Sequence, residues 1–277
     1  MDAVELKTKA RELGIDLIGI APRSRWENLP PEENPLSIMP ECQSVIVIGR
    51  KILRGLFRGI EEGTNFYSTY ALFGKQWNEF SFLSRIVFNL ANVIEATGAE
   101  AMPLTGGMTK GENCVIGNAG IVGNAVIDTK KMAHLAGLGS IGKGGFFLTK
   151  QYGHRQRFAM ILTDMVLDGD NVIDLDFCNG CDACLKACPL NALADNGTDA
   201  FSMDTERCRI CGNGRSTASE LAFEPLDRLA SSCGRACMIA LEDKIDEKFH
   251  NKFRKRAVWT RDLYGKATVT PLAEGDK

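Results

Sequence analysis

The chain has 277 residues, 44% of them apolar and 25% charged, with a formal net charge of −2 at pH 7. That composition excludes a disordered chain, and the near-neutral balance argues against a protein that works mainly by coating nucleic acid. The unusual number is ten cysteines against three histidines. Eight of the ten fall in the 60 residues from 178 to 237, so the excess belongs to one segment and needs a local explanation.

In chain order, Asp2 is placed to cap a first helix running to about Leu13, which Gly14 ends. Residues 16–21 and 44–49 read as buried strands, with Pro30, Pro31, Pro35 and Pro40 marking the loop between them. A helical pattern holds over 64–97, where Leu83, Val87, Leu90 and Ile94 form one core-facing stripe. A short strand is predicted at 100–103, then a glycine-rich stretch over 105–124, a short helix over 130–135, and strands near 146–149 and 157–163. The expected fold is α+β, with a larger domain over 1–170, a cysteine module over 171–240 and a basic tail over 241–277. No apolar run approaches membrane length, and the N-terminus lacks both a secretory leader and a twin-arginine signal. A cytoplasmic protein is therefore expected, and in that reducing compartment dense cysteines hold metal more readily than disulfides.

The run Cys178-x2-Cys181-x2-Cys184-x3-Cys188-Pro189 has the spacing of a ferredoxin with two four-iron clusters. Three thiolates two residues apart wrap one cubane, and the fourth, before proline, reaches the other. The second group is Cys208-x2-Cys211 and Cys233-x3-Cys237, with 21 residues between Cys211 and Cys233 and Met238 where proline is common. Reciprocity assigns Cys178, Cys181, Cys184 and Cys237 to one cluster, and Cys188, Cys208, Cys211 and Cys233 to the other. Paired Cys-x2-Cys motifs also build tetrahedral zinc sites, which is the competing reading. Cys42 and Cys114 stand alone and read as small buried hydrophobes.

Gly137-Leu138-Gly139-Ser140-Ile141-Gly142-Lys143-Gly144 comes close to two nucleotide-binding patterns. A dinucleotide loop needs a strand before it and a helix after it, and here the predicted order is the reverse. A P-loop needs a hydroxyl where Gly144 stands. What remains is a backbone that approaches a flat or phosphate-bearing ligand closely, with Lys143 as a cation, or simply a tight helix-to-strand turn.

The stretch from Asp128 through Ala136-Gly-Leu-Gly-Ser-Ile-Gly-Lys143, followed by the cysteine module, resembles the epoxyqueuosine reductase family, which is related to the reductive dehalogenases. The similarity also covers Ala10-Arg-Glu-Leu-Gly-Ile-Asp-Leu-Ile-Gly-Ile-Ala21, Pro40-Glu-Cys-Gln-Ser-Val-Ile-Val-Ile48 and Ile161-Leu-Thr-Asp164, in matching order over about 240 residues. The resemblance implies a nitroreductase-like α/β domain that holds cobalamin, joined to a bacterial ferredoxin-like module with two [4Fe-4S] clusters. Electrons from a ferredoxin or flavodoxin would pass through the clusters to the corrinoid, which would reduce a small molecule in an anaerobic setting. Asp128 matches the family's catalytic aspartate, a proton donor if burial raises its pKa, and it also reads as the cap of the helix beginning at Thr129. Gly137, Leu138, Gly139, Ser140 and Lys143 would lie along the cofactor. The family has a tryptophan where Ser140 stands, and its pocket segment best matches Tyr70-Ala71 and Gly74-Lys75-Gln76-Trp77-Asn78, which puts Tyr70 and Trp77 in the cofactor pocket. These departures, and an end at residue 277 without the family's C-terminal helical repeats, make tRNA the least favoured substrate. An electron-transfer protein without substrate chemistry of its own is the second reading, and epoxyqueuosine reduction the third.

The tail carries Lys248, Lys252, Arg254, Lys255, Arg256 and Arg261, interleaved with Phe249, Phe253 and Trp259. An RNA-contacting patch, a homodimer arm, a docking surface for an acidic donor, or a tail that packs its aromatics under solvated charges all fit this pattern. His134, His154 and His250 show no metal-ligand spacing.

Overall fold

Two apolar runs make the centre of the fold. The computed structural model describes residues 1–62, 64–105, 125–211 and 226–253, together with the backbone of 257–261 and 267–271. Strand β1 (Leu17–Pro22) follows helix α1 (Ala3–Glu12), whose Asp2 carboxylate accepts from the amides of Val4 and Glu5 as the sequence predicts. Strand β2 (Ser44–Lys51) pairs antiparallel with β1 and with β6 (Gln156–Thr163), and β6 pairs with β3 (Ala101–Leu104), giving the order β1-β2-β6-β3. Pro103 lies on an edge strand, where its missing amide N–H costs no ladder bond.

Alternation along a strand sends successive side chains to opposite faces. Val45 and Val47 enter one core with Phe158, Met160 and Leu162, capped by helix α4 (Thr129–Leu135). Ile46 and Ile48 enter the opposite core with Ala159 and Ile161, covered by α1 and by α3 (Ser84–Glu95). The helix stripe read from Leu83, Val87, Leu90 and Ile94 is buried in that second core. With both faces covered, the central strands read as unbroken apolar runs.

The helical stretch differs from its expectation. After the short helix α2 (Arg58–Glu61), the chain winds as π-helix through Tyr67–Gln76 and Asn78–Leu83 before becoming α-helical at Ser84. This wider winding, seen in the Ala71 amide bonding to the Phe66 carbonyl at 3.1 Å, buries Tyr70, Asn78 and Glu79 on the inward side.

The two-residue strands β4 (Ser140–Ile141) and β5 (Phe147–Leu148) form a hairpin leading out of α4. The cysteine segment adds α5 (Ala183–Lys186), the small β7–β8 pair (Leu193–Ala194 with Ser202–Met203), α6 (Thr205–Arg209) and α7 (Ser232–Leu241). A third core lies beneath it, with Phe146, Leu148, Phe177, Phe201, Met238 and Leu241. The tail adds a hairpin of β9 (Ala257–Arg261) and β10 (Ala267–Pro271). Its start packs the way the aromatic-burial reading expects: Phe253 is buried under the Arg54 guanidinium, Phe249 lies beneath that of Arg155, and Lys252 pairs with Asp243. Cys114 and the cations Arg254, Lys255 and Arg256 lie outside the described residues. No helix among the described residues is long and apolar enough to cross a membrane.

His154, fully buried against Phe146, donates its Nε2 proton to the Gly234 carbonyl at 2.7 Å, and burial pushes its pKa down to about 4. A lowered histidine pKa means that the folded state holds the neutral ring. Its stabilising contribution is therefore intact above the ordinary value near 6.5 and is lost as pH falls toward 4. At about 1.4 kcal/mol per pKa unit, the loss is on the order of 3 kcal/mol. Denaturant unfolding of wild type and His154→Gln at pH 7 and pH 4.5 should show a steeper acid loss in wild type; equal slopes would refute this role.

Candidate metal and cofactor site

Eight thiols gather around two separate cavities. Cys178, Cys181, Cys184 and Cys237 line the first, together with Gly142, Lys143 and Gly144. Cys188, Cys208, Cys211 and Cys233 line the second, with Pro189, Arg228 and Ser231. Local structure explains the division. A 3-10 turn (Asp176–Cys178) presents Cys178, the short α5 turns Cys184 inward, and Cys188 lies past the end of that helix, its sulfur accepting from the Ala192 amide at 3.2 Å. Cys233 and Cys237 are one turn apart on α7, and the helix hands one thiol to each cavity.

Burial pushes the Cys184 thiol up to about 11 and the Cys237 thiol well above its ordinary range, and the neighbouring thiols add to both effects. Four such groups ionise together only beside a compensating cation, which is what a bound metal centre supplies. Among the described residues, no three His, Cys, Asp or Glu side chains converge on one ion-sized point. Each set of four thiols rings one cavity, which is the donor set that a cubane takes.

The glycine motif forms the wall between the sheet and the first cavity. A Cβ on Gly142 would stand 2.8 Å from the Cys178 sulfur, and one on Gly144 would stand 2.7 Å from the Cys184 sulfur. Gly137 and Gly145 hold φ of +75° and +76°, the left-handed region that favours glycine. Helix α4 precedes the motif and the β4–β5 hairpin follows, so the strand-turn-helix order of a nucleotide-binding loop is not met. Leu138 is buried in the sheet core, while Ser140 and Lys143 are partly exposed. The Ser140 Oγ accepts from the Leu175 amide at 3.1 Å, the Lys143 ammonium lies over the Phe201 ring, and the Phe201 amide bonds to the Lys143 carbonyl. His134, a residue the sequence left without a role, donates from Nδ1 to the Gly139 carbonyl at 2.8 Å.

Asp128 sits at the N-cap of α4, exposed, with one carboxylate oxygen accepting from the amides of Lys130 and Lys131 at 2.9 and 3.0 Å. The capping reading is thus seen directly. Tyr70 is fully buried: its hydroxyl donates to Asp227 at 2.8 Å and accepts from Arg157, which also pairs with Asp227. Trp77 stands partly exposed in an aromatic group with Phe73 and Phe82. Those two rings line a different cavity of about 230 Å³ with Asp16, Arg50, Lys51 and Asn78, so Trp77 is not gathered with the glycine turn. Cys42 is fully buried with its thiol pushed up to about 11, as befits a core residue. Asp227 and Arg228 were not singled out by any motif. They lie in the 21-residue stretch that separates Cys211 from Cys233, and no residue pattern there marks them.

A family model for a 4Fe-4S binding domain matches residues 171–194. A tetrachloroethene reductive dehalogenase from Desulfitobacterium hafniense strain Y51 is 33% identical over 150 residues, covering 52% of this chain and 25% of that protein. An epoxyqueuosine reductase from Gloeobacter violaceus is 25% identical over 243 residues, covering 79% of this chain and 68% of the relative. The solved structure of a reductive dehalogenase described for B12-dependent dehalogenation superposes with a TM-score of 0.56 at 20% identity, covering 88% of this chain and 32% of that one. The chain is related to the reductive dehalogenases and the epoxyqueuosine reductases. It spans about a quarter of the length of the curated dehalogenases it matches. The shared features are the mixed helix-and-sheet fold and a 4Fe-4S binding segment.

The close approach of the glycine turn makes its own test. In Gly144→Val the added side chain meets the Cys184 sulfur, so anaerobically purified protein should carry less iron per chain while its far-ultraviolet circular dichroism stays that of wild type. Unchanged iron content would show that the turn does not bound the metal site.

Proposed function

We propose that this chain is a corrinoid-dependent reductase, in which two [4Fe-4S] clusters pass low-potential electrons toward cobalamin held by a nitroreductase-like domain over residues 1–170. The carrying observation is the shared wall: the glycine turn and the thiols of Cys178 and Cys184 are separated by no more than a hydrogen atom's width of side chain. A ligand resting on the turn is therefore a neighbour of the first cavity. Cys178, Cys181, Cys184 and Cys237 would hold the cluster nearer the turn, and Cys188, Cys208, Cys211 and Cys233 the outer one, within a module over 171–240 followed by the tail. The bound corrinoid supplies a strongly reducing metal centre. Ser140 and Lys143 offer the partly exposed polar groups of the turn, and Gly137, Leu138 and Gly139 fix its backbone against the sheet. A ferredoxin or flavodoxin is the fitting donor in a cytoplasmic, anaerobic setting.

Asp128 would hold the proton given to the substrate. Its carboxylate stands exposed at the head of α4, with one oxygen accepting from the amides of Lys130 and Lys131. This capped, exposed position favours the second reading, an electron-transfer protein without substrate chemistry of its own. The similarity to epoxyqueuosine reductase over 79% of the chain supports a third, reduction of epoxyqueuosine in tRNA.

Anaerobically purified or reconstituted protein should bind about eight irons per chain in two cubanes, and Cys184→Ser and Cys208→Ser should each lose about four. Failure to bind cobalamin in any redox state, read by its absorbance spectrum and a cobalt count, would remove the reductase reading. With organohalide or epoxyqueuosine-containing RNA as oxidant, Asp128→Asn should lower turnover by about 10²–10⁴, the usual range for a general acid, with cluster reduction unchanged. Turnover equal to wild type would leave Asp128 as a cap alone.

A further inference from the structure

We propose that Arg228 is the positioning and charge-balancing residue of the second cluster. It acts by donating to that cluster's sulfur and raising its reduction potential. This rests on the two-cluster reading above and extends it to a residue outside the ligand set.

Arg228 is buried, with 6% of its surface exposed, and it lines the second cavity beside Cys188, Cys208, Cys211 and Cys233. Its Nη2 donates to the Gly144 carbonyl at 2.8 Å, and its guanidinium lies 4.5 Å from the centre of the Phe146 ring. Gly144 and Phe146 both line the first cavity, so the side chain bridges the two sites. Its Nη1 is buried and has no hydrogen-bond partner among the described residues. A buried donor without an acceptor costs on the order of 1–3 kcal/mol, more when it carries charge, and such a group calls for a ligand. No carboxylate pairs with Arg228 among the described residues. The adjacent Asp227 is held instead by Tyr70, Arg157 and the Leu229 amide. Arg235, the other buried arginine near Cys233, differs in being influenced by the Glu61 carboxylate.

Among the described residues, the cavity that Arg228 lines presents four thiols and, beside Arg228 itself, no charged side chain. Four thiolates around an iron–sulfur core leave a net anion, and one added electron makes it more negative. A buried guanidinium lining that cavity, with an Nη1 that has no partner among the described residues, stabilises the reduced form most, because charge–charge attraction is little screened there. Its short reach to Gly144 also places the cation between the two thiol-lined cavities. The arrangement therefore favours arrival of an electron at the second cluster without adding a ligand to it.

Redox titration followed by electron paramagnetic resonance tests this in reconstituted full-length protein. Arg228→Gln should lower the reduction equilibrium of one cluster about tenfold, which is 59 mV for one electron, while Arg228→Lys keeps the charge and recovers most of the shift. A purely structural side chain would give equal changes in the two variants. Because Arg228→Gln can fail to load its cluster, wild type labelled with ¹⁵N in the arginine guanidinium supplies an independent reading. A ¹⁵N hyperfine coupling should appear on a reduced cluster and vanish in Arg228→Lys. About eight irons with unmoved potentials in Arg228→Gln, or no ¹⁵N coupling in wild type, overturns the role of Arg228 alone. About four irons and a single cluster signal in wild type overturns the two-cluster reading together with it.

Discussion

The space between the glycine turn and the cysteine thiols is too narrow for a methyl group, and most of the site follows from that. With Gly142 and Gly144 backed directly onto Cys178 and Cys184, the turn cannot shift without moving the thiols. The contact is reinforced at three points. The Phe201 amide bonds to the Lys143 carbonyl, the Leu175 amide to the Ser140 hydroxyl, and the Arg228 guanidinium to the Gly144 carbonyl. Behind the turn, Gly139 presses on the Leu148 carbonyl and Gly137 on that of Asn171, so the same few residues are wedged between sheet and module. Close-packed interiors transmit displacement rather than absorb it, which gives the metal site a fixed position relative to the sheet.

A second constraint acts deeper. Arg157 on β6, Tyr70 on the π-helical segment and Asp227 before α7 meet with no water-exposed surface, and Glu79 adds a further carboxylate at 3.2 Å from Arg157. Burying such charges is expensive, and replacing the set by apolar residues of like volume is often neutral for stability. What the network adds is registry: one arginine ties three segments from distant parts of the sequence. It also occupies the Asp227 carboxylate, so that the charge of Arg228, one residue later, is not cancelled by its neighbour.

The legible parts of the sequence were those whose signal is periodic or covalently spaced. Unbroken apolar runs in β2 and β6, the stripe through Leu83 and Ile94, and the Asp2 and Asp128 caps are local patterns, and the structure shows each of them. The thiols fall around two cavities, Cys178, Cys181, Cys184 and Cys237 on the first and Cys188, Cys208, Cys211 and Cys233 on the second, because each run is short enough to be held by one or two turns of chain. The π winding from Tyr67 was not legible. The apolar stripe that marks this stretch as helical begins only at Leu83, and the wider turns before it bury Tyr70, Asn78 and Glu79. The roles of Arg228 and His134 were also hidden, since both bond to backbone carbonyls of the glycine turn and such contacts leave no residue pattern.

This bears on what the glycine motif says about function. Gly137 has a left-handed backbone, Gly139 cannot accept a Cβ beside Leu148, and Gly142 and Gly144 face sulfur. Every one of these requirements comes from the chain's own packing, against Asn171 for Gly137, against β5 for Gly139 and against the thiols for Gly142 and Gly144. A carrier of electrons with an empty cofactor domain would need the same glycines as a corrinoid enzyme, so the motif alone does not separate the two. The separating positions are those that face away from the thiols. Ser140 is small and half-buried there, and the exposed Ile141 adds an apolar surface beside it. Asp128 stands one helix earlier with its carboxylate held by two amides. Whether the chain does chemistry of its own is thus decided on that outer surface, while the inner surface answers only to the thiols behind it.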